Sequence, residues 1–260
     1  MKYGFIGCGN MGGAIAKALS KSTDSITLCD PYAAAALASE LGCTVSDNAD
    51  AAANCECLFL AVKPQILDHA IAPIASILRE RKPLLITMAA GVEIRKIEAM
   101  IGTSLPIIRI MPNTPVAVGC GTILYCHNEL VTERMLQSFL TDMQYAGMLD
   151  PIQENLIDAA SALSGCGPAY VYLFIEALAD GAVACGVPRA KAMAYAANTL
   201  AGAAAMVLQT GLHPGALKDA VCSPGGSTIA GVKALENKCF RGAVMDCVAT
   251  AYARTKELGK

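Results

Sequence analysis

Tryptophan is absent from the chain, the aromatic residues together make up only 5% of it, and histidine occurs three times. His69, His127 and His213 stand apart from one another. The cysteines include no pair at CxxC spacing, the nearest two being Cys55 and Cys57. Zinc sites are built from repeated Cys or Cys/His spacings, so no metal site is expected. Charge is sparse as well: Asp, Glu, Lys and Arg amount to 16%, with 20 basic against 22 acidic residues and a formal net charge of -2. Without a basic run there is no field for a phosphate backbone, which excludes nucleic acid as an expected partner. The N-terminus lacks the basic, apolar and small-residue series of a signal peptide, so a cytoplasmic setting is expected. The uncharged run Ala192 to Leu208 is short for a span, rich in alanine and interrupted by Asn198, Thr199 and Gly202. It reads as a helix buried between protein surfaces, and no membrane partner is expected.

What the chain does have is apolar material, 54% of 260 residues, enough to bury a substantial core in one large domain or two modest ones. Its twelve cysteines, scattered from Cys8 to Cys247, read as small buried apolar side chains in a reducing compartment. Apolar runs of strand length occur at Tyr3 to Ile6, Ile26 to Cys29, Cys57 to Val62, Leu84 to Thr87 and Ile107 to Ile110. They are continuous rather than alternating, as in strands covered on both faces. Helical runs separate them at Met11 to Ser20, Tyr32 to Leu41, Gln65 to Leu78 and Val92 to Met100. The pattern predicts an α/β fold with a parallel sheet. After about Pro151 the β-type runs vanish and long Ala-rich helices follow, with Pro168, Pro188 and Pro214 placed where helices can begin. The expected organisation is therefore a domain over 1–150 and an all-helical domain over 151–260.

In the second half Ala177, Gly181, Ala184, Ala201, Gly202 and Ala205 recur about one helical turn apart. Small faces allow close helix packing, and an intersubunit interface accounts for them; packing against the first domain is the alternative.

The strongest local signal is Gly7-Cys8-Gly9-Asn10-Met11-Gly12, set between an apolar strand and a helical run. The first glycine permits the tight turn, the second lets a pyrophosphate approach the backbone, and the third lets helix and strand pack closely. The helix N-terminus then faces the phosphates. Asp30, eighteen positions beyond Gly12, ends the second strand run, where a carboxylate accepts hydrogen bonds from ribose hydroxyls and repels a 2′-phosphate. No base stands beside it in Asp30-Pro31-Tyr32, so the local chemistry leans to NADH; a helix N-cap is the plain structural alternative, compatible with binding. Lys63 lies past a third strand run, at the sheet edge that lines the ligand crevice, and Ala89-Ala90-Gly91 past a fourth leaves room for a nicotinamide ring.

These blocks carry a resemblance. Gly4 to Gly12, Ala61-Val62-Lys63-Pro64-Gln65, Ala89-Ala90-Gly91, Met111-Pro112-Asn113-Thr114-Pro115, Leu163 to Tyr170 and above all Leu217 to Gly231 make the whole chain similar to the pyrroline-5-carboxylate reductases. The resemblance implies an N-terminal Rossmann-type parallel sheet domain followed by an all-α dimerisation domain. It implies reduction of 1-pyrroline-5-carboxylate to L-proline by hydride from NADPH or NADH, and homodimers through the helical domain, assembled in some members into larger rings. The expected cofactor-binding residues are Ile6, Gly7, Gly9, Asn10, Met11, Gly12, Asp30, Ala61, Val62, Lys63, Pro64, Ala89, Ala90, Gly91 and Asn113. The family more often takes NADPH, with Ser, Asn or Arg near the end of the second strand, and Asp30 departs from that habit.

Such a substrate is a cyclic imine bearing a carboxylate. The Ser223 to Thr228 loop suits the anion: Gly225 and Gly226 let backbone N–H groups converge, Ser223, Ser227 and Thr228 add hydroxyls, and a helix start follows. By resemblance the Thr228 hydroxyl lies near the ring nitrogen, where it orients or relays a proton. Glu154 is a further substrate-side candidate, or a surface carboxylate. Two rival readings remain. The 3-hydroxyacid dehydrogenases share the glycine-rich start but carry a catalytic lysine that the run Tyr170 to Cys185 lacks, and a dinucleotide-sensing protein would bind without turnover.

Overall fold

The computed structural model describes residues 1–258. Eight strands form one sheet: β1 (Tyr3–Ile6), β2 (Ile26–Cys29), β3 (Thr44–Val45), β4 (Cys57–Leu60), β5 (Leu84–Thr87), β6 (Ile107–Met111), β7 (Gly121–His127) and β8 (Gly147–Pro151). Between and after them run α1 (Asn10–Leu19), α2 (Ala34–Leu41), α3 (Asn48–Asn54), α4 (Leu67–Ile71), α5 (Ala75–Arg81), α6 (Ile94–Ile101) and α7 (Glu133–Asp142). The remainder is helical: α8 (Glu154–Ser164), α9 (Gly167–Ala184), α10 (Arg189–Thr210), α11 (Pro214–Ala220), α12 (Ser227–Glu236) and α13 (Phe240–Leu258).

The strand order is β3-β2-β1-β4-β5-β6-β7-β8, parallel as far as β6. Consecutive residues of a strand face opposite sides, and both sides are apolar. Tyr3, Phe5, Phe59, Ile86 and Ile108 join one core layer with Ile15, Leu37 and Phe139 from α1, α2 and α7. Ile6, Leu58, Leu60, Leu85 and Ile107 join the other with Ala51, Leu67, Leu78 and Ile97 from α3, α4, α5 and α6. Phe5 and Phe59 stack across β1 and β4 with ring centroids 4.4 Å apart. This two-sided burial is why the strand runs read as continuous.

Several elements differ from the sequence expectation. The run Gln65 to Leu78 is not one helix: short 3-10 turns at Pro64–Ile66 and Ala72–Ile74 flank α4, and Pro73 breaks the run at the second, having no N–H to donate and a ring that crowds the preceding turn. The sheet is not wholly parallel, since β7 returns antiparallel to β6, and β8 then pairs parallel with β7. The small elements β3, α3, α7 and the β7–β8 pair had no counterpart in the apolar pattern. Side-chain caps begin two of them, Asp47 accepting from the Asp50 N–H at 2.8 Å and Thr132 from the Met135 N–H at 3.3 Å.

The chain divides into two compact units, Met1–Cys166 with Ala251–Lys260, and Gly167–Thr250. Within the second, only Ala179, Ala192 and Ala196 form a buried apolar cluster, where α9 meets α10. Tyr172, Leu173, Tyr195, Leu208 and Met245 are all more than half exposed, and a Cβ on Gly181 or Gly202 would meet nothing within 4 Å. Among the described residues the stretch long and apolar enough to cross a membrane is Glu154–Ala184, not the Ala192 to Leu208 run singled out in the sequence. Polar contacts from Arg109 and Asn113 hold its first third, α8, to the sheet.

Candidate active site

In the order 3-2-1-4-5-6 the chain reverses direction across the sheet between β1 and β4, and the crevice beyond their carboxyl ends is where open α/β sheets bind ligands. The ends of β1, β2 and β4 are tied together at this edge. The Gly7 N–H donates to Cys29 O at 2.8 Å and the Ala61 N–H to Ile6 O at 2.8 Å. Gly7 has φ +96°, and a Cβ there would lie 2.7 Å from Ala61 O. A Cβ on Gly12 would lie 2.5 Å from Gly7 O and 2.9 Å from the Ala61 Cβ. The first and third glycines are thus required by the protein itself.

Gly9 is different: a Cβ there would meet nothing within 4 Å. It is the N-cap of α1, is exposed, and is followed by exposed Asn10 and partly exposed Met11 at the helix start. A bare backbone at a helix N-terminus, with the open space in front of it, fits a dinucleotide pyrophosphate.

Asp30 lies just beyond β2 and reaches across to this loop. Its Oδ2 accepts from the Cys8 N–H at 2.9 Å, while Oδ1 accepts from the Tyr32 and Ala33 N–H groups, each at 2.9 Å. Burial alone would raise its pKa, but the hydrogen bonds from Cys8, Ala33 and Tyr32 outweigh it and hold the carboxyl below the ordinary value of 3.8. It is ionised at neutral pH. The capping role of Asp30 is compatible with the ligand reading: the turn fixes the carboxylate and leaves a lone pair of Oδ2 open to a donor. An open cleft of about 670 Å³ runs beside it, lined by Pro31, Val45, Ser46 and Asn48 among others. Lys17, which lines a separate cleft with Cys8, Gly9 and Asn10, is engaged with Glu40 at 2.7 Å. Cys8 is no nucleophile, since burial first and the Asp30 charge second push its thiol up to about 11.

The remaining strand ends follow the same edge. Lys63 is exposed and leads into the turn Pro64–Ile66; Ala61, Val62 and Pro64 are half-buried. Past β5, Ala89 is buried, Ala90 exposed, and Gly91 adopts φ +72°. Asn113, past β6, is 8% exposed with both ends of its amide engaged: Nδ2 donates to Ser164 O at 2.9 Å, and Oδ1 accepts from the Thr122 N–H at 2.8 Å. Its side chain ties elements together at the end of β6, the edge on which a cofactor is expected. Glu154 also has structural partners through one of its oxygens. Its Oε1 accepts from the Ile94 N–H at 2.8 Å and lies 3.4 Å from Arg109 Nη1, so this oxygen holds the frame.

Arg109 and its second partner Asp158, at 2.8 Å, were missed in the sequence. The signal was a lone cation in the apolar strand Ile-Ile-Arg-Ile-Met: a buried charge demands a partner. Among the described residues Arg109 Nε is the buried side-chain polar atom without a hydrogen-bond partner, an omission that costs about 1–3 kcal/mol.

In the helical unit, Ser223-Pro224-Gly225-Gly226 is a closed turn. The Gly226 N–H donates to Ser223 O at 3.0 Å, and Gly225 has φ +70°. Proline second and a positive-φ glycine third is the arrangement of a type II turn. Gly226 is then the N-cap of α12, and a Cβ on it would lie 2.4 Å from Ser223 Oγ. Ser223, Gly225, Ser227 and Thr228 are exposed, so hydroxyls and the unpaired first N–H groups of α12 present a ready anion cradle.

A parallel sheet in this order, with a glycine-rich turn and an open helix start at its switch point, defines a dinucleotide-dependent oxidoreductase of the Rossmann type. Residues 2–91 match the family described as NADP oxidoreductase, coenzyme F420-dependent, and residues 154–258 match pyrroline-5-carboxylate reductase dimerisation. The pyrroline-5-carboxylate reductase of Escherichia coli is 41% identical over 100% of this chain and 98% of its own length. That of Synechocystis is 45% identical over 82% of this chain and 79% of its own. The crystal structure of a Plasmodium falciparum pyrroline carboxylate reductase with NADP bound superposes with a TM-score of 0.90 at 34% identity, covering 100% of this chain and 98% of that one. The chain belongs to the pyrroline-5-carboxylate reductase family.

Proposed function

We infer that the protein reduces the C=N bond of 1-pyrroline-5-carboxylate to L-proline, the final step of proline biosynthesis. The observation that carries this reading is the full-length likeness to named reductases with both halves of the machinery intact: the open Gly9 face and the Ser223–Thr228 cradle. NAD(P)H supplies the hydride when bound. The N–H groups of Gly9, Asn10 and Met11 hold the pyrophosphate, with Ile6, Gly7 and Gly12 shaping the turn. Asp30 accepts from the ribose, and Ala61, Val62, Lys63, Pro64 and Ala89 to Gly91 border the rest of the cofactor. Ser223, Gly225, Gly226, Ser227 and Thr228 hold the substrate carboxylate, and the Thr228 hydroxyl donates to the ring nitrogen. No stronger acid is needed, because an imine is far more basic than a carbonyl: the fraction that enters protonated needs no donor, the Thr228 hydroxyl serves the neutral fraction, and positioning provides most of the rest of the rate.

The division into a dinucleotide-binding domain over 1–150 and a substrate and dimerisation domain over 151–260 is part of this reading. A homodimer through the second domain, with a ring of dimers as a further assembly, is supported by the unburied apolar side chains of α9 and α10. A cytoplasmic setting accords with twelve free thiols.

The test is a steady-state assay following nicotinamide absorbance with pyrroline-5-carboxylate, run with NADH and NADPH in parallel. Turnover is expected with NADH preferred, because a fixed carboxylate without a basic neighbour repels a 2′-phosphate. Asp30→Ser should shift the ratio of kcat/KM values towards NADPH by about tenfold or more, the size of a like-charge contact near a surface. An unshifted ratio removes Asp30 as selector. Dinucleotide binding without turnover of any cyclic imine would point to a sensing protein instead.

A further inference from the structure

Arg109 and Asn113 lie four residues apart, so their side chains leave the same face of β6 and its extension. Between them they take hold of α8 along its whole length. Arg109 Nη1 and Nη2 reach Glu154 and Asp158, one turn apart at the start of the helix, and Asn113 Nδ2 reaches Ser164 O at its last residue. The Glu154 oxygen that Arg109 meets also accepts the Ile94 N–H, the first donor of α6, whose N-cap residue Glu93 makes no side-chain cap. The loop carrying Ala89 to Gly91 thus ends on an atom whose place Arg109 sets.

We propose that Arg109 and Asn113 are positioning residues for the reduction, a two-point staple that fixes α8 and, through Glu154, the loop after β5 that borders the nicotinamide. This rests on the functional reading above. Stability alone is a poor reason for the arrangement: a buried ion pair is matched or bettered by apolar side chains of similar volume, and Arg109 also leaves Nε unpaired. What the guanidinium supplies is direction, because its planar fork meets two carboxylates at fixed angles. The glycine-rich turn and Asp30 belong to β1 and β2, with β4 and β5 between β1 and β6, and share no hydrogen bond with Arg109. Loss of the staple therefore leaves the grip on the cofactor's pyrophosphate end intact while its reacting end is displaced.

The experiment compares wild type, Arg109→Met, Arg109→Lys and Asn113→Ala for kcat, KM, NADH dissociation constant, and the isotope effect with NADH deuterated at the transferred position. A misplacement of about 1 Å costs on the order of 10²-fold in rate, so Arg109→Met should lose about tenfold or more in kcat, with NADH affinity within about twofold. Its isotope effect should rise as hydride transfer becomes limiting. Arg109→Lys, which keeps one charged donor, should recover part of the loss, and Asn113→Ala should move in the same direction as Arg109→Met. Should Arg109→Met fail to fold, the other two variants decide by the same readouts. Folded variants with a lower Tm but unchanged kcat and isotope effect overturn the proposal. A wild type that turns over no imine overturns the functional reading instead, which keeps the two failures apart.

Discussion

Gly9→Ala should cost the protein its cofactor and almost none of its stability, whereas Gly12→Ala should cost both. At Gly9 the added Cβ meets nothing within 4 Å, so the folded chain has no objection to it. A pyrophosphate lying against that backbone does, and the methyl group also displaces it from the first N–H groups of α1. At Gly12 the Cβ would sit 2.5 Å from Gly7 O and 2.9 Å from the Ala61 Cβ. The backbone at Gly7 cannot yield readily, being already in a turn with φ +96°, so α1 must back away from β1. Overpacking of this kind typically costs about 1–3 kcal/mol, which a domain with about 5–15 kcal/mol of stability survives. NADH titration and thermal unfolding separate the cases: both variants should bind about 10²-fold more weakly, and only Gly12→Ala should melt lower. A Gly9→Ala protein that binds NADH like the wild type would show that no phosphate approaches there.

The contrast between those glycines explains how much was legible in the sequence. A motif with three glycines reads as a unit, and its placement after Ile6 and before an Ala-rich helix was enough to place the turn and the open helix start at the sheet's switch point. It does not say that two of the glycines answer to the protein while the third faces open space. The parallel strands were legible for a similar reason: burial on both faces writes itself as unbroken apolar runs. What stayed hidden depended on partners distant in the chain. β7 and β8 close the sheet at an edge, where half-exposed residues such as Met148 break the apolar pattern. Asn113 stands in a family block and Glu154 near the domain junction, and neither position shows that their hydrogen bonds run to Ser164, Thr122 and Ile94, up to 60 residues away. Arg109 escaped notice inside a strand that is otherwise apolar, although a charge in that setting is the stronger clue.

Thr228→Ala should slow turnover by about 10²-fold, at the low end of what a positioned proton donor contributes, with NADH affinity unchanged. Thr228 is the second residue of α12, and its side chain is exposed, so alanine costs the helix nothing and the loop keeps Ser223, Ser227 and the Gly226 cap. Thr228→Ser, which keeps the hydroxyl and loses only a methyl group, should restore most of the rate. The pH profile separates a proton donor from a carboxylate clamp. At low pH the imine arrives protonated and gains little from a hydroxyl, so the deficit of Thr228→Ala should narrow; as pH rises and the neutral imine predominates, it should widen. A clamp for the carboxylate would instead raise KM by the same factor across that range, because the substrate's carboxylate stays ionised throughout. A deficit that is flat in pH and confined to KM would move Thr228 from the ring nitrogen to the anion cradle, leaving the protonated substrate to supply its own acid.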